Sequence, residues 1–137
     1  MINTILDTNV LYAGLYSSRG ASYQVLRLIE KERIKINIST ALLFEYEDVL
    51  KRNKSILKLS FKKIEQILDN LCELSNHHKI YFLWRPFLSD PSDDHILELA
   101  VASETKIIVT HNTHDFKGVN KFGVRAITPR ELLEEVK

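Results

Sequence analysis

The sequence holds a single cysteine, Cys72, so no disulfide can form within the chain, and a reducing compartment suits that usage. Only four glycines and three prolines occur in 137 residues. They leave no Gly- or Pro-rich linker, and neither a low-complexity segment nor an internal repeat is present. One domain over 1–137 is therefore expected, long enough to bury one core. A dominant sign of charge is lacking too: 19 Lys and Arg against 18 Asp and Glu give a formal net charge of +1. Any nucleic-acid contact must then come from local clustering of charge. No apolar run approaches the ~18 residues of a membrane span, and the N-terminus lacks the basic-then-apolar pattern of a signal peptide. A cytoplasmic protein without a membrane partner is expected. GxSxG is absent, which argues against a Ser–His–Asp hydrolase. HExxH and a second cysteine are absent as well. This leaves His111 and His114, and the adjacent His77 and His78, a poor framework for zinc.

What is present is an alternation of strand and helix patterns. INTIL (2–6), IKINIS (34–39), KIYFL (79–83), KIIVT (106–110) and VRAIT (124–128) read as strands. Helices are expected over 22–33, 41–52, 61–74 and 93–104, the third with Phe61, Ile64, Ile67, Leu68 and Leu71 at helical spacing. Thr128-Pro129-Arg130-Glu131 is a capping box with proline at the first helical position, and it opens the last helix. Such alternation predicts an α/β fold, a three-layer α/β/α sandwich around a mostly parallel sheet. Ligands in these folds bind beyond the carboxyl ends of the strands.

Acids gather at those ends. Asp7 follows the first strand, and Glu45, Glu47 and Asp48 open the helix after the second. Asp90, Asp93 and Asp94 precede the helix at 93, while His111, Asn112, His114 and Asp115 follow KIIVT. Taken singly, each acid also suits a first helical turn, and Asp7 suits a turn or cap, with Thr8 and Asn9 as rivals. Four segments aiming carboxylates at one edge are harder to explain that way, because each would raise its neighbours' pKa. A hard divalent cation such as Mg²⁺ or Mn²⁺ relieves that repulsion. Helical phase puts Asp93 on the core stripe of Leu97 and Ala100, and turns Asp94 away toward Glu98. Asp90 before Pro91 reads as a helix N-cap. Phase leaves Glu45 and Glu47 both open. His95 reads as a surface residue, and Trp84 and Phe82 as core.

An acidic site needs cations nearby to hold a phosphate backbone. The stretch 51–63 offers Lys51, Arg52, Lys54, Lys58, Lys62 and Lys63 with no acid among them, and Arg19 lies in the loop SSRG. A solvated helix connection accounts for the same stretch.

ILDTNVLYAG, ISTALLFEYEDVL, DPSDDHILELAVA and IIVTHNTHDF, in this order and spacing, resemble PIN-domain proteins, and among them the bacterial VapC-like toxins of toxin–antitoxin systems. The resemblance covers nearly the whole chain. It implies a parallel-sheet sandwich with a metal-dependent ribonuclease site. By motif the metal-holding and catalytic acids fall on Asp7, Glu45, Asp93 and Asp115, with Asn112 in support. His111-Asn112-Thr113-His114 stands where many relatives carry Gly-Asp or a basic residue, so the acid count of that segment, and any share of Asp94 or Glu47, stays open. One or two Mg²⁺ or Mn²⁺ ions would activate a water for in-line attack on RNA and leave a 5′-phosphate. Arg19, Lys51, Arg52 and Lys54 would hold the RNA. A small antitoxin and a second copy of the chain are the implied protein partners, and the helix bearing Phe61 offers an apolar stripe to either.

Two other functions compete. A non-catalytic PIN module that binds RNA or a partner protein would have no use for four converging carboxylates. A receiver-like signalling domain needs an acid pair after the first strand and a phosphoacceptor Asp after a central one. Here Asp7 stands alone, and neither IKINIS nor KIYFL ends in Asp.

Overall fold

The computed structural model describes residues 1–80, 87–88 and 90–136. Five parallel strands form one sheet in the order β3-β2-β1-β4-β5. They are β1 (Ile2–Leu6), β2 (Ile34–Ile38), β3 (Ser75–His77), β4 (Ile107–Val109) and β5 (Arg125–Ile127). Among the described residues, seven helices flank them: α1 (Thr8–Tyr16), α2 (Ala21–Glu30), α3 (Thr40–Arg52), α4 (Lys54–Leu57), α5 (Phe61–Glu73), α6 (Asp94–Ala102) and α7 (Pro129–Val136). This is the α/β sandwich read from the sequence. Among the described residues no helix is long and apolar enough to cross a membrane.

The central strands are rich in buried aliphatic residues because helices cover both faces of a parallel sheet, and the buried polar residues among them, Thr4 and Asn37, bond to backbone carbonyls. Ile5, Leu6, Ile34, Ile36, Ile38, Ile107, Ile108 and Val109 are all buried. The edge strand β3 is the polar tripeptide Ser-Asn-His, half-exposed to exposed, and a short polar edge discourages pairing with another chain.

Serine caps fix two helix starts. Ser39 Oγ accepts from Leu42 N at 3.2 Å, and Ser60 Oγ from Lys63 N at 3.1 Å. At α7 the capping box closes in both directions: Thr128 N donates to Glu131 Oε1 at 2.9 Å and Glu131 N to Thr128 Oγ1 at 3.1 Å.

Helix ends show the consequence of scarce glycine. After α2, Glu32 N donates to Ile29 O and Arg33 N to Leu28 O; after α6, Glu104 N donates to Val101 O and Thr105 N to Ala100 O. Both are Schellman closures, which need a left-handed residue. Glutamate fills that position twice, at φ 56° in each case. These closures stop α2 at Glu30 and α6 at Ala102, short of the expected 33 and 104. Glu104→Gly removes a side-chain penalty of about 1–2 kcal/mol in left-handed backbone, partly offset by the greater freedom of glycine in the unfolded chain. A net gain of about 0.5–1 kcal/mol is expected, seen as a higher urea midpoint at unchanged slope; a lower midpoint would contradict it.

Three elements depart from the sequence pattern, the first being the four-residue α4 in the stretch expected as a helix connection. Helix α1 was not expected as an element, because TNVLYAGLY is apolar on nearly every side and carries no 3.6-residue stripe. Val10, Leu11 and Gly14 are buried in it, and it packs against both α2 and α3. Gly14 permits that approach, since a Cβ there would lie 2.5 Å from Leu26 Cδ1. The strand expected over 79–83 falls partly outside the described residues. Lys79 and Ile80 belong to no strand, and the sheet edge is β3 instead. Phe82 and Trp84, read as core, also lie outside the described residues.

Candidate active site

Strand order reverses at β1: β2 and β3 lie on one side of it, β4 and β5 on the other. A crevice opens beyond the carboxyl ends of the strands at such a switch point. Asp7 occupies it. Its N–H donates to Val109 O at 2.9 Å, which fixes the end of β1 against the end of β4, and it is the N-cap of α1. Asp7 Oδ1 accepts from Thr8 N at 2.9 Å. Oδ2 accepts from Thr110 Oγ1 at 2.7 Å and from Asn9 Nδ2 at 3.3 Å. Asn9 Oδ1 in turn accepts from His111 N at 3.2 Å, and Thr110 Oγ1 from Asn112 N at 3.0 Å. Asp7 is 7% exposed. Burial pushes its carboxyl above the ordinary value and the charge of Glu45 adds to that, while Thr110 and Thr8 pull against it.

Helix α3 brings the second acid. Tyr46, fully buried, donates from its hydroxyl to Leu6 O at 2.6 Å and so ties α3 to the end of β1. Burial holds that phenol well above its ordinary range, helped by Asp7 and Glu45. The neighbouring Glu45 accepts from Thr8 Oγ1 at Oε2, and its Oε1 lies 3.4 Å from His95 Nε2. Burial alone would raise the Glu45 carboxyl; the hydrogen bonds from His95 and Thr8 outweigh it, and the net shift is downward. Glu47 is engaged elsewhere, with Lys51 Nζ 3.2 Å away.

The third segment gathers the most charge. Asp90 caps a 3-10 turn over Pro91–Asp93, its Oδ1 accepting from Ser92 N at 3.0 Å and Ser92 Oγ at 2.8 Å. Asp93 is half-buried. Its carboxyl is raised to about 7, first by burial and then by the charges of Asp7, Asp90, Asp115 and Glu45. Asp115 stands in the 3-10 turn Thr113–Phe116 after β4, where its N–H donates to Asn112 O at 2.9 Å. Asn112 is exposed.

Two expectations are corrected here, one from helical phase and one from position in the first helical turn. Asp94 does not turn outward: it is 1% exposed, and its carboxylate accepts from Leu88 N at 2.8 Å and Phe87 N at 3.2 Å. The chain at 87–88 thus covers the side of α6 that phase assigned to water. His95 is not a surface residue either; its side chain is 12% exposed and turned to Glu45. Thr8, Asn9, Thr110 and His95 are the residues that sequence reasoning missed. In the sequence Thr8 and Asn9 read only as caps, and Thr110 closes an apolar strand with no signal of its own.

The expected RNA-binding residues have other engagements. Lys51 bridges Glu47 and, at 3.5 Å, Glu65 of α5. Arg52 pairs with Asp48 at 3.0 Å, and Lys54 Nζ lies 5.0 Å from the centre of the Phe61 ring. Arg19 is exposed in the turn between α1 and α2, where its N–H donates to Ser17 Oγ. Of the helix cations, Arg52 falls within about 20° of Glu45 around α3, and Lys51 about 120° away.

The donors around Asp93 are carboxylate oxygens, and their mutual repulsion is registered in the Asp93 shift. Charge and donor type therefore fit a hard divalent cation. Among the described residues, no three His, Cys, Asp or Glu side chains stand as a ready-made cage for one. The fit is one of chemistry, without preformed coordination.

Residues 3–114 match the sequence model of the PIN domain. The chain belongs to the PIN-domain family. Among solved structures, the likeness extends over nearly the whole chain. VapBC2 from Rickettsia felis, bound to a DNA fragment from its promoter, aligns with TM-score 0.64 at 18% identity, over 93% of this chain and 98% of that one. DNA-bound VapBC from Salmonella typhimurium gives 0.62 at 17%, over 94% and 99%. PAE2754 from Pyrobaculum aerophilum gives 0.62 at 15%, over 98% and 89%. At such identities the likeness is one of fold. No curated protein gives a significant sequence match.

Proposed function

We propose that residues 1–137 form one PIN-like domain acting in the cytoplasm as a metal-dependent endoribonuclease, the toxin of a toxin–antitoxin pair. The observation that carries this reading is Asp93: half-buried, with its carboxyl raised to about 7 by burial and by four other acids, three of them from other segments of the chain. A structural role for these carboxylates gives no reason to crowd them until one holds its proton near neutrality.

Asp7, Glu45, Asp93 and Asp115 would hold one or two Mg²⁺ or Mn²⁺ ions. Bound there, the ion supplies activation of a water and neutralisation of charge on the scissile phosphate. The chain's own work is orientation. Thr110, Asn9 and the Thr8 N–H fix the Asp7 carboxylate, and the Thr8 hydroxyl fixes Glu45. Asn112, exposed beside Asp115, is available to orient the water or the substrate. No side chain need form a bond to phosphorus. The partners proposed for this chain are a small antitoxin and a second copy of itself.

RNA would be held by Arg52 first, on the Glu45 side of α3, with Arg19, Lys51 and Lys54 further out. Arg52→Glu should weaken binding of single-stranded RNA to an Asp7→Asn background and reduce the slope of log affinity against log salt by about 1. Lys51→Glu should have the smaller effect. Unchanged affinity and slope in Arg52→Glu would remove Arg52 from the interface. The enzyme reading as a whole is tested by cleavage of a defined RNA in Mg²⁺, Mn²⁺ or EDTA.

A further inference from the structure

His95 has no role in the reading above, yet its placement is specific. It enters from the first turn of α6, and its ring is nearly withdrawn from water, with 12% of the side chain exposed. Nε2 lies 3.4 Å from Oε1 of Glu45. The other carboxylate oxygen, Oε2, takes the Thr8 hydroxyl. Glu45 is thus gripped at both oxygens by residues from two different elements, α1 and α6. Among the described residues, the second ring nitrogen, Nδ1, is buried without a hydrogen-bond partner. A carboxylate accepts and cannot donate, so the ring proton belongs on Nε2, and the unpaired Nδ1 is the cost of aiming the ring at Glu45. A histidine serving only to fill space would more readily turn a nitrogen toward water.

We propose that His95 is a positioning residue: its Nε2–H bond, opposed by the Thr8 hydroxyl, holds the Glu45 carboxylate in the orientation that receives the divalent cation. The inference rests on the metallonuclease reading of the site. It assigns His95 no contact with RNA and no share in proton transfer. A ligand held on both sides loses less side-chain freedom when the ion arrives, so the grip should appear as metal affinity. Outer partners of this kind are worth about 10- to 100-fold in metal affinity.

The test compares the wild-type chain with His95→Gln, which keeps a donor near the Nε2 position, and with His95→Leu, which keeps bulk and has no donor. Mn²⁺ binding is read by isothermal titration calorimetry, RNA cleavage in saturating Mn²⁺ by single-turnover assay, and folding by circular dichroism. His95→Leu should stay folded and bind Mn²⁺ about 10- to 100-fold more weakly, with RNA affinity unchanged. His95→Gln should recover most of the loss. Wild-type Mn²⁺ affinity in His95→Leu overturns the inference alone, as does a folded His95→Gln that binds as weakly as the Leu variant. A wild-type chain that binds no Mn²⁺ overturns the metallonuclease reading, and the inference with it. A His95→Leu chain that fails to fold leaves the decision to His95→Gln against His95→Asn, whose shorter amide cannot reach Oε1; equal affinities in those two overturn the inference.

Discussion

Asp7→Asn should end metal-dependent RNA cleavage and leave the protein folded. The side chain keeps its shape, and the amide oxygen can still accept the Thr8 N–H that now reaches Oδ1 at 2.9 Å. At the other position an NH₂ would face Thr110 Oγ1, now 2.7 Å from Oδ2. A hydroxyl can rotate from donor to acceptor, so that bond survives. The contact from Asn9 Nδ2 at 3.3 Å is lost, a cost of about 1 kcal/mol. It is offset by removing a buried charge whose carboxyl burial already pushes upward. The loss of function is larger in kind. A neighbour of a metal ligand is worth about 10- to 100-fold, so losing the ligand itself should cost more than about 100-fold in single-turnover rate. Circular dichroism and the thermal midpoint should remain near those of wild type. A folded variant that cleaves at the wild-type rate removes Asp7 from the chemistry.

The second large effect concerns the stability of the metal-free protein. The Asp93 carboxyl rises from 3.8 to about 7 on folding. Between those values the folded chain keeps a proton that the unfolded chain has released. The associated stability is therefore fully present below about pH 4 and is lost as pH rises through 7. Asp7, also raised, acts in the same direction. Glu45, lowered, opposes it, adding stability above its ordinary range and losing it only in acid. In EDTA the net expectation is a thermal midpoint that falls between about pH 5 and 7.5. Asp93→Asn should remove most of this slope and raise the midpoint at pH 7.5. The gain should be only about 1 kcal/mol, because a half-buried carboxyl is partly screened by water. Mg²⁺ at a hundred times its dissociation constant adds about 2.7 kcal/mol to wild type and should add far less to Asp93→Asn, which also loses cleavage. A wild-type midpoint that rises between pH 5 and 7.5 in EDTA, or that ignores Mg²⁺, contradicts the crowded-carboxylate account.

Much of the fold was legible because its signals are local. β1, β2 and β4 are short segments rich in Ile, Leu and Val, as strands of a parallel sheet are, and the box at Thr128–Glu131 closes as written. Helix α1 was hidden because it is covered on several sides and has no amphipathic stripe. β3 was hidden because an edge strand of Ser-Asn-His has no apolar pattern to find. The site divides along the same line. Asp7, Asp93 and Asp115 stand out as acids after strands or before a helix, and a resemblance of motifs selects Glu45 from its neighbours. Asp94 was misplaced because phase recognises one buried side of a helix, whereas α6 is also covered by the chain at 87–88; His95 was misplaced because nothing local marks its approach to Glu45 of α3. The Thr110–Asp7–Asn9 network joins residues about a hundred positions apart. It exists only because β4 crosses to the far side of β1, a fact of strand order that no local pattern carries.

On the proposed reading, the acids at this switch point make the PIN domain a metal-dependent nuclease. The most direct measurement incubates a defined, end-labelled single-stranded RNA with the full chain in Mg²⁺ or Mn²⁺ and in EDTA, beside Asp7→Asn purified identically. Fragments with 5′-phosphate ends are expected from the wild-type chain with metal, and intact RNA in the EDTA and Asp7→Asn lanes. Cleavage that persists equally in EDTA or in Asp7→Asn, or no cleavage of any RNA by the wild-type chain with metal, would contradict that reading.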